Sequence, residues 1–577
     1  MICSKKKLKA FGCTLLLTSA FTELAYAVPA FPGAEGPAAE AVGGRGGRVI
    51  EVTNLNSSGP GSFREACEAS GPRTVVFKVA GVIDLEGERI KIKNPYITIA
   101  GQTAPEGGIT IKGHELGIQT HDVIVRFIKI RTGYNPDFGD QEGDAVGIDD
   151  AGVYNTIINH VSMSWAKDEN AQIWHKSLDS APHDITFSWN IIAEGLDGHS
   201  TGFIAGSYEN TKDFKDVSLH HNLFANTSHR LPLIKIASAK MINNLIYNWS
   251  YYATGIKGGA HMDIIANKYK PGPETSSSRY QEITVEDSET GALGYGDPTY
   301  PRSGGPGYAS IYVKGNIGPN QSDESADNWG MVFSRNTTSG LRQPLDSETF
   351  ERTTPLDKYT YPITIDSVAD AEASILQDAG ASRRINEYGE WVAARDEVDA
   401  RIIEEYNSGT GYIPANEDEV GGYPVVAETT GYTDSDHDGM ADAWEEIYGF
   451  DLNSASDSNE DKDGDGYTNI EEFINGTNPD DAGNETALLT KESSSTESST
   501  TNDSNTESST ENDTSTESSA VKDSKTETTS AETTSAETTS TEGSSGGSTD
   551  SGLLLLLASL LFFRSKLKRK VASSNLH

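Results

Sequence analysis

Short apolar runs of similar shape recur between residues 122 and 270: DVIVRFIKIR from Asp122, NTIINHVSMSW from Asn155, DITFSWNIIAEG from Asp184, DVSLHHNLFANT from Asp216, AKMINNLIYNWS from Ala239 and AHMDIIANKYK from Ala260. Their starts advance by about 20 to 35 residues, the spacing of a solenoid in which each coil buries its face against the next. Most runs place an asparagine after the apolar pair, as at Asn190, Asn222, Asn244 and Asn267. Stacked in a parallel β-helix, these asparagines would lie above one another and bond along the ladder. A βαβ fold needs amphipathic helices of about ten or more residues between strands, and the gaps here are filled instead with Gly, Ser, Asp and Asn. The pattern predicts an all-β chain, a parallel β-helix over residues 28–425.

The other zones differ in kind. Residues 1–27 carry Lys5, Lys6, Lys7 and Lys9, the apolar run CTLLLTSAF and the small-residue pattern Ala25-Tyr26-Ala27, which reads as a signal peptide cut before Val28. Residues 431–480 hold two aspartate-rich loops among helical patterns, a small α module. Residues 484–550 are almost all Ser, Thr, Glu, Asp and Asn, a composition that buries too little apolar surface to fold and reads as a disordered linker. Residues 551–577 hold an apolar stretch, Leu553 to Phe563, shorter than the roughly 18 to 20 residues of a membrane-spanning helix. The basic cluster Arg564, Lys566, Lys568, Arg569 and Lys570 follows it. The tail resembles the C-terminal sorting signals of the GlyGly-CTERM type in Gram-negative bacteria, with a short membrane or cell-surface anchor as the other reading.

Over 577 residues the formal charge is -40, which excludes a nucleic-acid partner, since phosphate binding needs a basic stripe. Of three cysteines, Cys3 and Cys13 fall in the signal. Cys67 alone remains, so the mature chain has no intrachain disulfide, and Cys67 is read as a small core residue. A monomer is expected, secreted or held at the cell surface.

Acidic residues gather in GDQEGDAVGIDD (Asp140, Glu142, Asp144, Asp149, Asp150) and in WAKDENAQIW (Asp168, Glu169). Segments one coil apart in a β-helix are neighbours at about 4.8 Å, so the two clusters could share a surface. Carboxylates brought together repel unless a hard cation sits between them, and oxygen-only ligands favour Ca²⁺. One coil further on, HHNLFANTSHRLPLIK supplies Arg230 and Lys235. Two cations facing a carboxylate-bound Ca²⁺ would hold an anion, and the acid groups of a polyuronate fit.

Three segments in this order, FPGAEGPAAEAVGGRGGRVIEVTNLNSSGPGSFREACEASGPRTVVFKVAGVIDL, NPYITIAGQTAPEGGITIKG and ARDEVDARIIEEYNSGTG, resemble the pectate lyases of polysaccharide lyase family 1. The resemblance spans the solenoid zone. It implies a right-handed parallel β-helix and Ca²⁺-dependent β-elimination on polygalacturonate, an acidic polysaccharide, giving 4,5-unsaturated products. It places the catalytic arginine on Arg230 and the second cationic substrate contact on Lys235. It maps Ca²⁺ ligands onto Glu142 and Asp144, with glutamate in place of an aspartate, and onto the region of Asp168 and Glu169. A lysine that many members carry before GLDG is absent, Glu194 standing in that neighbourhood, which puts subsite contacts in doubt. Arginine is normally protonated well above neutral pH, so the base role rests on the resemblance, with Ca²⁺ and Lys235 expected to make Arg230 less basic. The bland reading has Arg230 only clamping the carboxylate. His199 and His229 flank the expected cleft as substrate contacts, His220 and His221 read as stacked structural histidines, and the tryptophans Trp165, Trp174, Trp189 and Trp249 read as buried by default.

DSDHDGMADAWE puts Asp434, Asp436 and Asp438 at loop positions 1, 3 and 5, with Asp442 at 9 and Glu445 at 12. DKDGDGYTNIEE repeats this with Asp461, Asp463, Asp465, Asn469 and Glu472. That is the EF-hand ligand pattern, with its glycine at position 6, and the module resembles dockerin and thrombospondin type 3 modules. Three other functions compete: a lyase on methylated pectin or another polyuronate, a glycoside hydrolase on the same scaffold, and a non-catalytic polysaccharide-binding or adhesive solenoid.

Overall fold

Between Arg48 and Lys314 the chain winds as a right-handed parallel β-helix, each coil adding one strand to each of three sheets. The computed structural model describes residues 28–136, 143–149, 151–175, 180–207, 213–286, 309–335, 342–427 and 429–483. The signal peptide, the Ser/Thr/Glu-rich linker, the C-terminal tail and the candidates Asp140, Glu142 and Asp150 lie outside these. Among the described residues no helix is long and apolar enough to cross a membrane.

Among the described residues the first sheet has ten strands, including Val123–Arg126, Thr156–Asn159, His183–Ser188 and Lys215–His220. The second, here the cleft sheet, includes Leu116–Ile118, Val146–Ile148, Glu169–His175, Thr201–Ser207, Leu233–Lys235 and Thr254–Lys257. The third has eight, among them Lys129–Arg131, Ser162–Ser164, Ile191–Ala193, Leu223–Ala225 and Leu245–Tyr247. Inward side chains such as Val123, Val125, Ile158, Ile173, Phe187, Phe203 and Ile234 fill one continuous core, each 0% exposed. Burying each such side chain contributes about 1.5 to 3 kcal/mol. The runs are nearly continuous in apolar residues because the outer face of the first sheet is also covered. Ile124 and Ile157 pack under Phe31, Ala38 and Ala39 of the N-terminal segment.

The asparagine ladder forms as predicted. Asn190 donates to Asn222, Asn222 to Asn244 and Asn244 to Asn267, all at 2.9 Å, over chain separations of 32, 22 and 23 residues. It runs on through Asn316 to Asn328. Each buried amide thus meets the next coil's amide, and the ladder sets the rise of the coils.

Among the described residues there are six α-helices: α1 (Phe63–Glu68), α2 (Ser347–Phe350), α3 (Val368–Asp378), α4 (Glu397–Ser408), α5 (Asp442–Tyr448) and α6 (Asn469–Asn475). Cys67 is fully buried in α1, and burial pushes its thiol far up. After the last coil the chain turns back along the solenoid. Arg352 pairs with Asp263, Asp366 accepts from His221 at 3.0 Å, Arg131 pairs with Asp396 and Asp399, and Gly431 donates to Lys78. Ile375, Val398 and Ile402 of α3 and α4 pack on Ile191, Leu223 and Leu245 of the third sheet. This returning strap covers the first and third sheets, and it delivers residues 429–483 to the first coils. There Met440, Trp444, Ile470 and Phe473 pack with Ala100 and Ile385.

Candidate functional site

Along the cleft sheet, side chains alternate between core and surface. Gly117, Gly147, Gln172, Ile204, Leu233 and Gly255 align on successive rungs of the outer face, and Trp174, Gly206 and Lys235 align beside them. The glycines make a floor. A Cβ at Gly147 would sit 1.9 Å from a Glu115 carboxylate oxygen, and one at Gly206 would sit 2.7 Å from the Trp174 ring.

At one edge of this floor Asp144, Asp168 and Glu169 bring carboxylate oxygens within 4.8 Å of one another, and all three side chains are buried. Register explains the meeting. Val146 pairs with Ala171, so Asp144 lies beside Glu169, and its Oδ1 accepts the Glu169 backbone N–H at 2.9 Å. Gln172 donates to the other Asp144 oxygen. Burial, then Glu115, then Asp168 push the Asp144 carboxyl well above the usual carboxylate range. This buried, oxygen-only donor set fits a hard divalent cation, whose charge would relieve that repulsion. Asp149 is not part of it: its carboxylate accepts from Arg89 and Gln119, each at 2.9 Å.

Arg230 reaches the same cluster. Glu169 pairs with Thr201, and Thr201 bridges to His229, so Arg230 stands two rungs beyond Glu169 rather than one coil on as the spacing suggested. Its guanidinium spans the gap to an ion pair with Glu169. Gly202 makes room, since a Cβ there would lie 2.7 Å from the Arg230 carbonyl. Arg230 itself sits at φ +61, a left-handed corner that aims its side chain back along the cleft. His199 Nδ1 lies 2.8 Å from Asp168 Oδ1, and the His229 ring stands 5.9 Å from that of His199 and 5.3 Å from that of Tyr252.

Lys235 stands further along, its Nζ donating to the Ser207 carbonyl at 2.8 Å. Burial, and secondarily Lys257, lower it to about 8. The partner of Arg230 is thus the Glu169 carboxylate, and Lys235 bonds elsewhere.

Glu194, the position that put the subsites in doubt, faces away from the cleft. It is fully buried on the third-sheet side, held by Arg401 at 2.6 Å and by the Trp165 indole at 2.8 Å. Trp165 and Trp249 are buried in full, whereas Trp189 is only partly buried and stacks on His221 at 4.5 Å. Trp174 departs from the buried default, its ring lying half-buried across Gly206 at the cleft. His220 and His221 are structural, as expected. The residue reading missed Glu115, Gln172 and Lys257. A signal for Lys257 existed, because LIK and GIK repeat on adjacent coils with the lysine at one register. Glu115, a single carboxylate in KGHELGI, carried none.

In the C-terminal module, Asp461, Asp463 and Asp465 cluster as the loop pattern expects. Glu472 is fully buried beside them with neither oxygen hydrogen-bonded, and burial followed by those aspartates pushes it up to about 8. The first loop departs from the pattern. Asp436, Asp438 and Glu445 meet, and the fourth carboxylate is Asp457 rather than Asp434. The position-9 residues hold the loops themselves: Asp442 accepts from Ser435, and Asn469 accepts from the Lys462 N–H. The structure therefore does not bring Asp434, Asp442 or Asn469 to a cluster.

No family profile matches the chain. It is 33% identical over 461 residues to a probable pectate lyase C of Aspergillus flavus, spanning 78% of this chain and 95% of that protein. It is 33% identical over 476 residues to the Aspergillus fumigatus protein of the same description, spanning 81% and 97%. Among solved structures it is similar to the cedar pollen allergen jun a 1 (17% identity, TM-score 0.45, 60% of this chain and 92% of that one). It is also similar to a pectate lyase bound to a hexasaccharide (14%, TM-score 0.43, 62% and 98%).

Proposed function

The chain belongs to the pectate lyase family and is a polysaccharide lyase; from that premise we propose that its cleft cleaves (1,4)-linked polygalacturonate by Ca²⁺-dependent β-elimination, leaving 4,5-unsaturated oligogalacturonides. The observation that carries this reading is the contact of Arg230 with the buried Asp144–Asp168–Glu169 cluster across two rungs of the cleft sheet.

Asp144, Asp168 and Glu169 would hold the cation, which when bound supplies a divalent charge that stabilises the enolate-like charge on the uronate carboxylate. Glu169 is the shared group. Were it to hold the cation, its carboxylate charge would be shared between the ion and Arg230, and the Arg230 guanidinium must first shed a proton to solvent to serve as the base. Arg230 takes the C5 proton, the C5–H electron pair becomes the C4–C5 double bond, and the C4–O bond breaks. The departing oxygen takes a proton from solvent. Lys235 pairs with a uronate carboxylate, and His199 and His229 line the wall beside Asp168.

Methylation would remove the charge these cations recognise, which favours the unesterified polymer. A hydrolase reading would need two carboxylates standing apart across the groove, whereas these three are gathered in one cluster. We also propose that the protein is exported by its N-terminal signal and acts outside the cell as a monomer, with the C-terminal tail as a sorting or tethering signal. The test is polygalacturonate with Ca²⁺, followed by ultraviolet absorbance of the unsaturated uronide. A rise only with methylated pectin would move the substrate, and reducing ends without absorbance would overturn the elimination.

A further inference from the structure

Around the first C-terminal loop six carboxylate oxygens are buried with no hydrogen-bond partner: both of Asp436, both of Glu445, Oδ2 of Asp438 and Oδ1 of Asp457. Glu445 is 0% exposed, so it has no water to turn to. Six oxygens match the lower end of the coordination number of Ca²⁺. Asp457 lies outside the twelve-residue loop, in the turn that follows α5.

Asp434, which the loop pattern would use, is committed elsewhere. Its oxygens accept the N–H groups of Asp438 and Gly439 at 3.2 and 3.0 Å, and Lys78 of the solenoid lies 3.4 Å away. Lys78 also stands over the Tyr432 ring at 4.2 Å and 3.6 Å from Glu51. Around this contact Arg45 pairs with Glu471 at 2.9 Å, Arg126 donates to Asn475 at 2.7 Å, and Gln102 donates to the Ile474 carbonyl. The first loop is therefore built into the junction between module and first coils.

We propose that Asp436, Asp438, Glu445 and Asp457 bind one Ca²⁺, and that this ion clamps the module onto the first coils of the β-helix, so that the solenoid's stability depends on it. Without a cation the four carboxylates repel. Next to Glu445 on α5, Trp444 is 1% exposed and stands 5.5 Å from Phe473 in the core that joins module and solenoid. Relief of the repulsion by swinging Glu445 outward would pull Trp444 from that core. The ion keeps both in place. None of these residues lines the cleft, so the clamp stands or falls apart from the catalytic reading.

The test uses the full chain, stripped with a chelator, in an Asp463→Asn background that silences the second loop. Tb³⁺ is the probe, sensitised through Trp444 and Tyr432, and thermal unfolding with and without Ca²⁺ is the second measurement. The expected result is that Asp457→Asn weakens the Tb³⁺ binding sensitised through Trp444 at least tenfold and removes this site's share of the Ca²⁺-dependent rise in melting temperature, leaving only what the cleft cluster supplies. That rise is about 3 °C for a chain of this size at a hundredfold excess over Kd. Asp144→Asn should leave the Tb³⁺ emission sensitised through Trp444 and Tyr432 unchanged. Asp457 is half-exposed, and retained turnover at low temperature with excess Ca²⁺ checks that the variant folds. Unchanged Tb³⁺ affinity in Asp457→Asn would overturn the site, and lost affinity with an unchanged melting shift would overturn the clamp.

Discussion

Lys235→Met separates what the cleft does for the substrate from what it does for the fold. Lys235 is 8% exposed, and burial with Lys257 beside it lowers its titration from 10.5 to about 8. A lowering of that size disfavours the charged form in the folded chain by about 3 kcal/mol. The unfolded chain keeps this proton up to the ordinary lysine range and the folded chain only to about 8. Between those values the unfolded state binds more protons, so stability rises with pH there, and below about 8 the penalty is present in full. Methionine keeps the apolar stem and removes the charge, at the loss of the hydrogen bond to Ser207. At pH 7, without substrate, the variant should be more stable than the parent by about 1 to 3 kcal/mol, the lower figure allowing for that lost bond. Over a domain of this size that is about 1 to 3 °C in melting temperature. Scanning calorimetry of both proteins from pH 7 to 10.5 reads the effect, and the gap should close as pH rises. A variant less stable than the parent at pH 7, or a gap indifferent to pH, would refute the reasoning. Its KM for polygalacturonate should rise in either case.

Four further outcomes follow from the same geometry. Arg230→Ala should lower kcat by about 10² to 10⁴-fold with an unchanged circular-dichroism spectrum; a variant retaining most turnover would remove Arg230 as the base. Lys257→Gln takes away a like charge beside Lys235 and should move the alkaline falling limb of kcat/KM upward, while Trp174→Ala should raise KM about 2- to 10-fold at constant kcat. Asp144→Asn addresses the metal-free state. Burial, Glu115 and Asp168 raise the Asp144 carboxyl, so its contribution to the parent's stability falls as pH rises above the ordinary aspartate range. Chelated Asp144→Asn should lack that fall and should need more Ca²⁺ for activity; a parallel pH–stability curve would sink the assignment.

The solenoid was legible because its coils write the same inward positions over and over. A β-helix pairs each run with the run one coil away, so Asn190, Asn222, Asn244 and Asn267 could be stacked on paper before their 2.9 Å bonds were seen. The same logic brought Asp144 to Glu169. It miscounted Arg230, because the rung at Thr201 lies in a segment with no acidic or cationic side chain to mark it, and a long side chain crosses that rung unseen.

What the repeat could not announce is every contact made outside it. The strap over residues 352–427 returns against the coil order, so Glu194 meets Arg401 across 207 positions, and the module it delivers sets Asp434 beside Lys78 across 356. No periodicity connects such pairs. Glu194 therefore looked like a missing cleft cation, although its carboxylate ties the third sheet to α4. The same blindness affected the first aspartate-rich loop. Read by itself, DSDHDGMADAWE offers Asp434 at position 1, but docking gives that carboxylate to two backbone N–H groups and a solenoid lysine. The vacancy falls to Asp457, twelve residues beyond Glu445 and outside any loop template. A carboxylate cluster at a junction between two folded parts gathers what the junction leaves uncommitted, so there the loop pattern marks the cluster and the packing chooses its members.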